Sequence, residues 1–320
     1  MKNLLRLLLA SIALAAASQA CAQAWPSKPI RMIVGFTPGG SNDIVARIIA
    51  PPLAEALGAT VTVENRPGAS GAIGADAVAK AAPDGYTLLA ASASPVVITP
   101  HTLPKIPFNT LTDFAPINTV GLTPEAIATG PKLNVGSLKE LLALAATKEV
   151  SLSSSGNGGL PHLTIELLIQ ASRGKIVHVP YKGAAPAITD TLGGHVDGIV
   201  MDLPPLFPLI QGGKLKALAM TSEKRFDLLP ALPTAQEVLP GFNVTNWMGV
   251  FAPAGTPPAV VERLNDALRK VVARDDVKAQ LLAAAVVPSL MASPDAFRKF
   301  VAEEFRRWGR LVKEKNITAE

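Results

Sequence analysis

The sequence is poor in the residues that usually carry metal, redox or thiol chemistry. It has one cysteine, Cys21, and four histidines among 320 residues. Cys21 falls in a segment that we expect to be removed on export, so the remaining chain has no disulfide, thiol nucleophile or cysteine metal site. His101, His178 and His195 lack the H-x-x-x-H and H-E-x-x-H spacings of zinc sites. We therefore predict no metal and no cofactor.

Aromatic residues and clustered positive charge are also scarce. Aromatic residues make up 5% of the chain, and the net charge is +5 with the basic residues scattered along the sequence. A nucleic-acid surface needs basic residues gathered on one face or motif. We predict no nucleic-acid partner. The apolar run over residues 7–17 is too short to span a bilayer comfortably, and no second long apolar segment follows it.

The sequence also lacks a recognisable catalytic arrangement. The glycine-rich segment around Ser70 reads GASGA and misses the G-x-S-x-G nucleophile elbow, and no histidine is placed by sequence to serve this serine. We predict no catalytic residue and a protein that is not an enzyme.

The first residues carry an export pattern. Lys2 and Arg6 precede an apolar run over residues 7–17, and an A-x-A pattern ends at Ala22. This pattern is typical of a secretory signal peptide cleaved after that alanine. Cys21 lacks the aliphatic residue that a lipid-attachment site usually places three positions upstream. We expect residues 1–22 to be a signal peptide and the mature protein to be exported.

The most informative segment is VGFTPGGSNDIVAR, residues 34–47, in which an apolar strand enters a glycine-rich turn and then an amphipathic helix. Gly39 and Gly40 allow close approach of backbone N–H groups to a ligand, and the helix beginning near Ser41 or Asn42 adds its positive end. The segment lacks the Lys-Ser/Thr of a P-loop and the G-x-G-x-x-G of a dinucleotide fold. A small carboxylate therefore suits it better than a nucleotide phosphate.

Short strands alternate with helices along most of the chain. In the first half, the pattern predicts strands over 29–36, 60–64 and 86–90 and helices over 43–57 and 75–82. The second half has strands over 150–153, 176–180, 196–201 and 215–221, and helices over 137–147, 162–172, 185–192 and 206–211. This order predicts largely parallel sheets with helices on both faces and ligands at the carboxyl ends of the strands.

Two parts of the chain depart from this alternation. The proline-punctuated stretch 95–116 is predicted to be an extended surface connection. After a strand at 250–252, helices over 258–274 and 294–315 are expected to return to the first lobe.

Four polar loops follow strands, two in each half of the chain: 37–43, 92–94, 154–157 and 181–185. In a two-lobed α/β protein these loops can face each other across a cleft. Clefts between domains are common sites for small ligands. The sequence thus predicts a binding site between two lobes.

Several motifs in a fixed order carry a family resemblance. They include WPSKPI at 25–30, VENRPGASG at 63–71, AAPDGY at 81–86, HVPYKG at 178–183 and FAPAGTP at 251–257. With these motifs the chain resembles the Bug-type, TctC-like substrate-binding proteins of tripartite tricarboxylate transporters, over nearly all of residues 25–315.

The resemblance implies a periplasmic, two-lobed type II binding-protein fold, or "Venus flytrap", of α/β class. Each lobe would be a mostly parallel sheet flanked by helices, with residues 23–124 and 250–320 in lobe 1 and residues 125–249 in lobe 2. The ligand would be a small carboxylate: an organic acid, an amino acid or an aromatic acid. The partner would be the permease subunits of a tripartite tricarboxylate-type transporter or, alternatively, a sensor kinase to which the bound ligand is presented. We expect a monomer.

In the resembling family, the first-lobe loops hold one carboxylate through backbone groups and water, and second-lobe positions tune the far end of the ligand. The matching positions in this chain are Thr37, Pro38, Gly39, Gly40, Ser41, Asn42 and Asp43 in the first lobe and Ser154, Ser155, Gly156, Asn157, Tyr181, Lys182, Gly183, Ala185 and Asp202 in the second. The polar loop after the third strand adds Ser92, Ala93 and Ser94 as candidate ligand-binding residues, and the second glycine turn adds Ser70.

Several of these residues have a structural alternative. Asn42 and Asp43 are favoured helix caps, and for Asp43 capping or structural pairing is the preferred interpretation. Ser70 and Ser94 either contact the ligand or complete turns. Lys182 is either a solvated charge or the partner of a second carboxylate.

Asp202 is the most diagnostic candidate. It can accept hydrogen bonds from a donor on the ligand, repel a second carboxylate, or cap the following helix. His162 is expected to make a structural hydrogen bond. Trp247 and Phe251 are expected to pack the return crossing between the lobes rather than flank an aromatic ligand.

Overall fold

The computed structural model describes residues 25–319, so the predicted signal peptide lies outside the described residues. The first part of the chain forms a parallel sheet. Strands β1 (Ile30–Val34), β2 (Val61–Asn65) and β3 (Thr87–Ser92) lie in the order β2-β1-β3, and helices α1 (Ser41–Leu57) and α2 (Ala72–Ala79) connect them. The predicted β-α-β-α-β unit is confirmed.

The segment after β3 is helical and buried, so the extended surface connection predicted for residues 95–116 is wrong in its first part. A π-helical turn, Ser94–Ile98, leads into a short helix α3, Thr99–Thr102. Each of these two segments has a proline in its first two positions. The missing backbone N–H costs little there, because it would have no partner within the helix. The apolar run Val96 to Ile98 is fully buried because it packs in the core.

Two antiparallel strands join the two parts of the molecule. Strand β4 (Phe114–Thr129) is 16 residues long; it pairs with β9 (Thr245–Pro253) over residues 114–124 and with strands of a second sheet over residues 125–129. Strand β9 also pairs with β3. The chain therefore crosses between the sheets along β4 and returns at β9.

The second part of the chain consists of α4 (Leu138–Thr147), β5 (Val150–Ser154), α5 (Leu160–Ser172), β6 (Ile176–Pro180), α6 (Ala184–Gly193), β7 (Gly198–Asp202), α7 (Leu203–Gln211) and β8 (Lys216–Met220). Its sheet has the order β4-β7-β5-β6, with β8 on the other side of β4. Strands β5, β6 and β7 are parallel. We call this part the second lobe and the part built on β1, β2 and β3 the first lobe; β4 and β9 join the two.

The C-terminal segment packs back on elements from the first part of the chain. Helix α8 (Pro258–Ala273) packs on α1, and α10 (Pro294–Lys315) packs on β4 and α3. Between them lie a helix that the sequence pattern did not reveal, α9 (Asp275–Ala283), and a short strand, β10 (Val287–Pro288). A single extended residue, Arg274, separates α8 from α9. None of the helices between residues 25 and 319 is long and apolar enough to cross a membrane.

Aromatic side chains fill the core beside the return strand β9. The ring centroid of Trp247 lies 5.6 Å from that of Phe297 and 6.2 Å from that of Phe251, and both Trp247 and Phe251 are buried. Gly249 permits this packing because a Cβ atom there would lie 2.5 Å from the ring of Phe297. The prediction that Trp247 and Phe251 pack the crossing is confirmed.

Candidate functional site

The glycine turn between β1 and α1 forms one wall of the site. Helix α1 begins at Ser41, and its N-cap is Gly40, which has no side chain to cap the helix. The alternative that Asn42 or Asp43 is the N-cap is therefore wrong, since both lie inside the helix. Gly39 has a φ of 80°, a conformation that favours glycine. The first N–H groups of a helix have no intrahelical partner, and its N-terminus carries partial positive charge. The turn can therefore accept an anionic group.

Asp43 anchors this turn. Its carboxylate accepts hydrogen bonds from the backbone N of Gly39 at 2.9 Å, from Asn65 Nδ2 at 2.8 Å and from Arg47 Nε at 3.0 Å. Burial raises the pKa of Asp43, but these hydrogen bonds and the charge of Arg47 outweigh it, so the pKa lies below its ordinary value. The preferred interpretation of structural pairing agrees with these contacts. Asn65 also donates to the carbonyl of Phe36 at 3.0 Å and so supports the turn, a role that its motif alone did not reveal.

A small polar cavity lies where this turn meets the second lobe. Its volume is about 20 Å³, which is enough for one water-sized group. Its lining comes from both lobes: Phe36, Gly40, Ser41, Asn42, Ser92, Ser94, Ser155, Pro161, Ala184, Met201 and Asp202. We call it the inner cavity. Seven of the predicted site residues line it.

A larger cavity of about 420 Å³ opens beside the inner cavity and shares Phe36 and Ser155 with it. We call it the outer cavity. This volume is within the range of small-molecule sites. The predicted residues that line it are Thr37, Ser70, Ser155, Gly156, Asn157, Tyr181, Lys182 and Gly183. Six predicted residues line neither cavity: Pro38, Gly39, Asp43, Ala93, Ser154 and Ala185. In the last case the neighbouring residue Ala184 lines the inner cavity instead, and Ala185 is exposed.

Hydrogen bonds between the lobes surround the two cavities. Ser70 Oγ donates to the carbonyl of Asn157 at 2.6 Å, and the backbone N of Leu160 donates to Ser94 Oγ at 3.0 Å. Thr102 Oγ1 donates to the carbonyl of Gly158 at 2.6 Å. The hydroxyls of Ser70 and Ser94 therefore bridge the lobes. The lobes are therefore in contact around both cavities, and the inner cavity has room for only about one water-sized group.

The loop after β5 is held by two stacked histidines. The rings of His162 and His178 are 4.1 Å apart, the backbone N of Gly158 donates to His162 Nδ1 at 3.0 Å, and His178 Nε2 lies 2.6 Å from Ser154 Oγ. The predicted structural hydrogen bond of His162 is confirmed. Burial and then the charge of His162 lower the pKa of His178 to about 3, so His178 is neutral near pH 7.

Tyr181 belongs to the outer cavity, and its hydroxyl donates to Asp190 Oδ2 at 2.6 Å. Burial, and then this hydrogen bond, raises the pKa of Tyr181 to about 12. The phenol is therefore neutral and oriented by Asp190. Between residues 25 and 319, no group of three His, Cys, Asp or Glu side chains could hold a metal ion.

Asp202, at the end of β7, is the acidic group of the inner cavity. Its Oδ1 accepts a hydrogen bond from Asn246 Nδ2 at 2.9 Å, and the Ser41 side chain is also hydrogen-bonded to it. Burial raises the pKa of Asp202 to about 6. Asp202 is the N-cap residue of α7 by position, but its carboxylate bonds to these side chains and not to the helix. The alternative that it caps the helix is wrong.

Two residues near Asp202 were not found from the sequence. Asn246 links the lobes, because its Oδ1 also accepts a hydrogen bond from the backbone N of Ala93 at 3.1 Å. Glu125, in β4, stands opposite Asp202 in the strand register and is fully buried. A lone glutamate in the otherwise uncharged segment 114–129 was the available signal.

Comparison with known proteins identifies the family. The sequence model described as tripartite tricarboxylate transporter family receptor matches residues 45–317. The chain is 39% identical to Protein BugT of Bordetella pertussis over 302 residues, covering 93% of this chain and 92% of BugT.

Two solved structures of Rhodopseudomonas palustris proteins share the fold. One, a protein with adipate, has a TM-score of 0.89 and 32% sequence identity, and the match covers 92% of this chain and 99% of that chain. The other, MatC with bound malate, has a TM-score of 0.84 and 29% identity, and the match covers 90% and 100%. These matches confirm the predicted resemblance and the two-lobed α/β fold. The chain belongs to the tripartite tricarboxylate transporter family receptors, the Bug-type, TctC-like periplasmic binding proteins.

Proposed function

We propose that this protein captures a small carboxylate between its two lobes in the periplasm and delivers it, without chemical change, to the permease subunits of a tripartite tricarboxylate-type transporter. The inner cavity carries this proposal, because the N-terminus of α1 and Asp202 face it from opposite lobes. Two proteins of the same fold are described with carboxylates, adipate and malate.

We propose that one carboxylate lies against the first turn of α1. A buried carboxylate needs several hydrogen bonds to replace those of water. The backbone N–H groups near Ser41 and the side-chain amide of Asn42 are neutral donors, and one helix end contributes only about 0.3–1 kcal/mol to a bound anion. Several modest donors together suit a carrier that must later release its ligand.

Lobe closure is the working step of the proposed cycle. The proposed lobes, residues 23–124 with 250–320 and residues 125–249, hinge within β4 and β9. Because the inner cavity has room for only about one water-sized group, a larger ligand enters it only when the lobes separate. A ligand that contacts both lobes shifts the population toward the closed form, which is the form a permease can distinguish.

Ser70→Ala tests the contribution of one bridge to closure. Loss of the bond from Ser70 Oγ to Asn157 should cost the closed form about 0.5–1.5 kcal/mol, so ligand affinity should fall roughly two- to tenfold. Ser222→Ala is the matched control, because Ser222 Oγ donates to the carbonyl of Lys224 within its own loop. Isothermal titration should show weaker binding for Ser70→Ala alone. Equal affinities of all three proteins would contradict the bridging role.

A thermal-shift screen tests the proposed function. Mature protein, refolded to remove carried-over ligand, is mixed with adipate, malate, amino acids, aromatic acids and the amides of the same acids. A ligand at 100 times its dissociation constant adds about 2.7 kcal/mol, which corresponds to an increase of roughly 5 °C in Tm. We expect selective shifts with carboxylates and none with the full amides. A folded protein that responds to no carboxylate would contradict the proposal.

A further inference from the structure

Asp202, which lines the inner cavity, has a second carboxyl group beside it. Glu125 in β4 and Asp202 in β7 are directly opposite each other in the antiparallel register, and each is at least nine-tenths buried. Opposite residues of such a pair place their Cβ atoms only about 4.5–5.5 Å apart on one face of the sheet. Among residues 25–319, no lysine, arginine or histidine forms an ion pair with either group. Two buried carboxylates without a cation cannot both be ionised.

The hydrogen bonds indicate which group keeps a proton. Asp202 accepts from Asn246 and is hydrogen-bonded to Ser41, contacts that suit an ionised carboxylate. Glu125 has one close contact, from its Oε2 to Thr164 Oγ1, and its Oε1 has no partner among the described residues. Thr164 Oγ1 also lies 3.0 Å from the carbonyl of Leu160. Since a hydroxyl has one proton, both contacts are satisfied when Thr164 donates to Leu160 and a neutral Glu125 donates to Thr164.

The side chains around Glu125 and Asp202 favour a pair that carries a single negative charge rather than two. The elements that pack against it contribute Thr164 from α5, Asn246 from β9 and Ser41 from α1. His162 of α5 is engaged with Gly158 and His178 instead. Burial, with the charge of Asp202 as the second cause, raises the pKa of Glu125 well above its ordinary value. The geometry and the burial therefore both favour the proton on Glu125 rather than on Asp202.

A ligand carboxylate against Asp202 would place two negative charges together in a buried site. The same repulsion that keeps Glu125 neutral then acts on Asp202. A proton taken from solvent onto an Asp202 oxygen removes the repulsion and creates an O–H donor for the ligand carboxylate. An amide or ammonium group at the same place requires no proton, because it donates to the ionised Asp202 directly.

We propose that the pocket binds dicarboxylates together with one proton, which Asp202 takes up beside a neutral Glu125, and binds ligands with an amide end without a proton. This proposal rests on the proposed function, because it requires carboxylate binding in the inner cavity. It names the ligand class as dicarboxylates bound with a proton, and it predicts tighter dicarboxylate binding at mildly acidic pH.

Calorimetry on the mature protein tests the proton. Adipate, malate and adipic acid monoamide are titrated at pH 7.5 in phosphate and in Tris, two buffers with different heats of ionisation. For the dicarboxylates we expect uptake of about 0.5–1 proton and roughly three- to tenfold tighter binding at pH 6.5 than at pH 7.5. The monoamide should bind with no proton exchange and no change of affinity over this range.

Two variants assign the proton to a side chain. Asp202→Asn should bind the dicarboxylates without proton uptake and with a pH-independent Kd. Glu125→Gln, which resembles the neutral acid in shape, should keep the proton uptake and the pH dependence of the wild type. Asp84→Asn, at an exposed surface ion pair, is the matched control and should also behave like the wild type.

The outcomes separate the two proposals. Dicarboxylate binding by the wild type with equal heats in both buffers would overturn the proton coupling and leave the proposed function standing. Persistent proton uptake in Asp202→Asn would also overturn it. Failure of every carboxylate to bind would contradict the proposed function and this proposal with it.

Discussion

Trp247→Ala should lower the free energy of unfolding by about 3–5 kcal/mol, the usual cost of removing a buried aromatic ring. The indole is 2% exposed and lies among the rings of Phe251, Phe297 and Phe300, with centroids 5.6–6.2 Å away. The neighbouring side chains cannot easily move into the space that the indole leaves, because their rings are themselves held in the core. Since domains are stable by only about 5–15 kcal/mol, the variant should unfold at much lower urea concentration.

Trp247→Phe is the matched control for this prediction. The indole Nε1 has no hydrogen-bond partner in the described part of the chain, so phenylalanine loses volume but no hydrogen bond. Urea denaturation followed by circular dichroism should show less than half of the loss seen for alanine. Ligand affinity of Trp247→Phe should equal that of the wild type. A large loss of affinity at nearly unchanged stability would contradict the packing role and make Trp247 a ligand contact.

Gly183→Ala should weaken ligand binding by about 10- to 100-fold while both lobes stay folded. Gly183, in the second lobe, faces Thr37 in the first, and an added Cβ atom would lie 2.2 Å from Thr37 Oγ1 and 2.9 Å from its Cγ2. Overpacking of this kind costs about 1–3 kcal/mol, and the lobes can avoid it by staying apart. The cost therefore falls on the closed form and appears as lost affinity.

Gly213→Ala separates this effect from backbone strain. Gly183 and Gly213 both have positive φ values, 117° and 66°, but a Cβ atom at Gly213 would meet no described atom within 4 Å. Gly213→Ala should lose about 1–2 kcal/mol of stability, as expected for a non-glycine residue with left-handed backbone. Gly183→Ala should lose about 1–3 kcal/mol, because its φ of 117° and ψ of −179° form a conformation that essentially only glycine adopts. Isothermal titration should find reduced affinity for Gly183→Ala only. Equal losses of affinity in the two variants would show that contact between the lobes is not needed for binding.

Local patterns were sufficient to predict most of the elements. Helix α10 was predicted with both of its ends, because its apolar residues repeat with helical spacing, Ser293 caps its start and Asn316 ends it in a left-handed conformation. Strand β6 was also predicted with its observed bounds.

Prolines caused the main failures of prediction. Pro116 and Pro124 lie inside β4 and hide a strand of 16 residues, since proline normally argues against a central strand. In the structure the register shifts just after Pro116, and Pro124 is the last residue that pairs with β9. Irregular pairing accommodates both prolines, and this depends on the partner strand, which no local sequence pattern contains.

The candidate site was also predicted only in part from the sequence. The turn at Gly39 and Gly40 and the acidic end of β7 were predicted, because each is a short motif at a strand end. Glu125 and Asn246 were not, because they lie within the two crossing strands. Their positions next to Asp202 follow from pairing between residues 77 and 44 positions apart in the sequence. The part of the site that sets its charge is therefore determined by tertiary register.

A crystal structure of the mature protein with its tightest-binding carboxylate would show directly where the ligand lies. We expect a ligand enclosed between the lobes, with one carboxylate oxygen about 2.7–3.2 Å from backbone N–H groups in the first turn of α1 and the other end toward Asp202. A ligand bound elsewhere, such as in the surface groove between α5 and α10, would contradict carboxylate capture between the lobes.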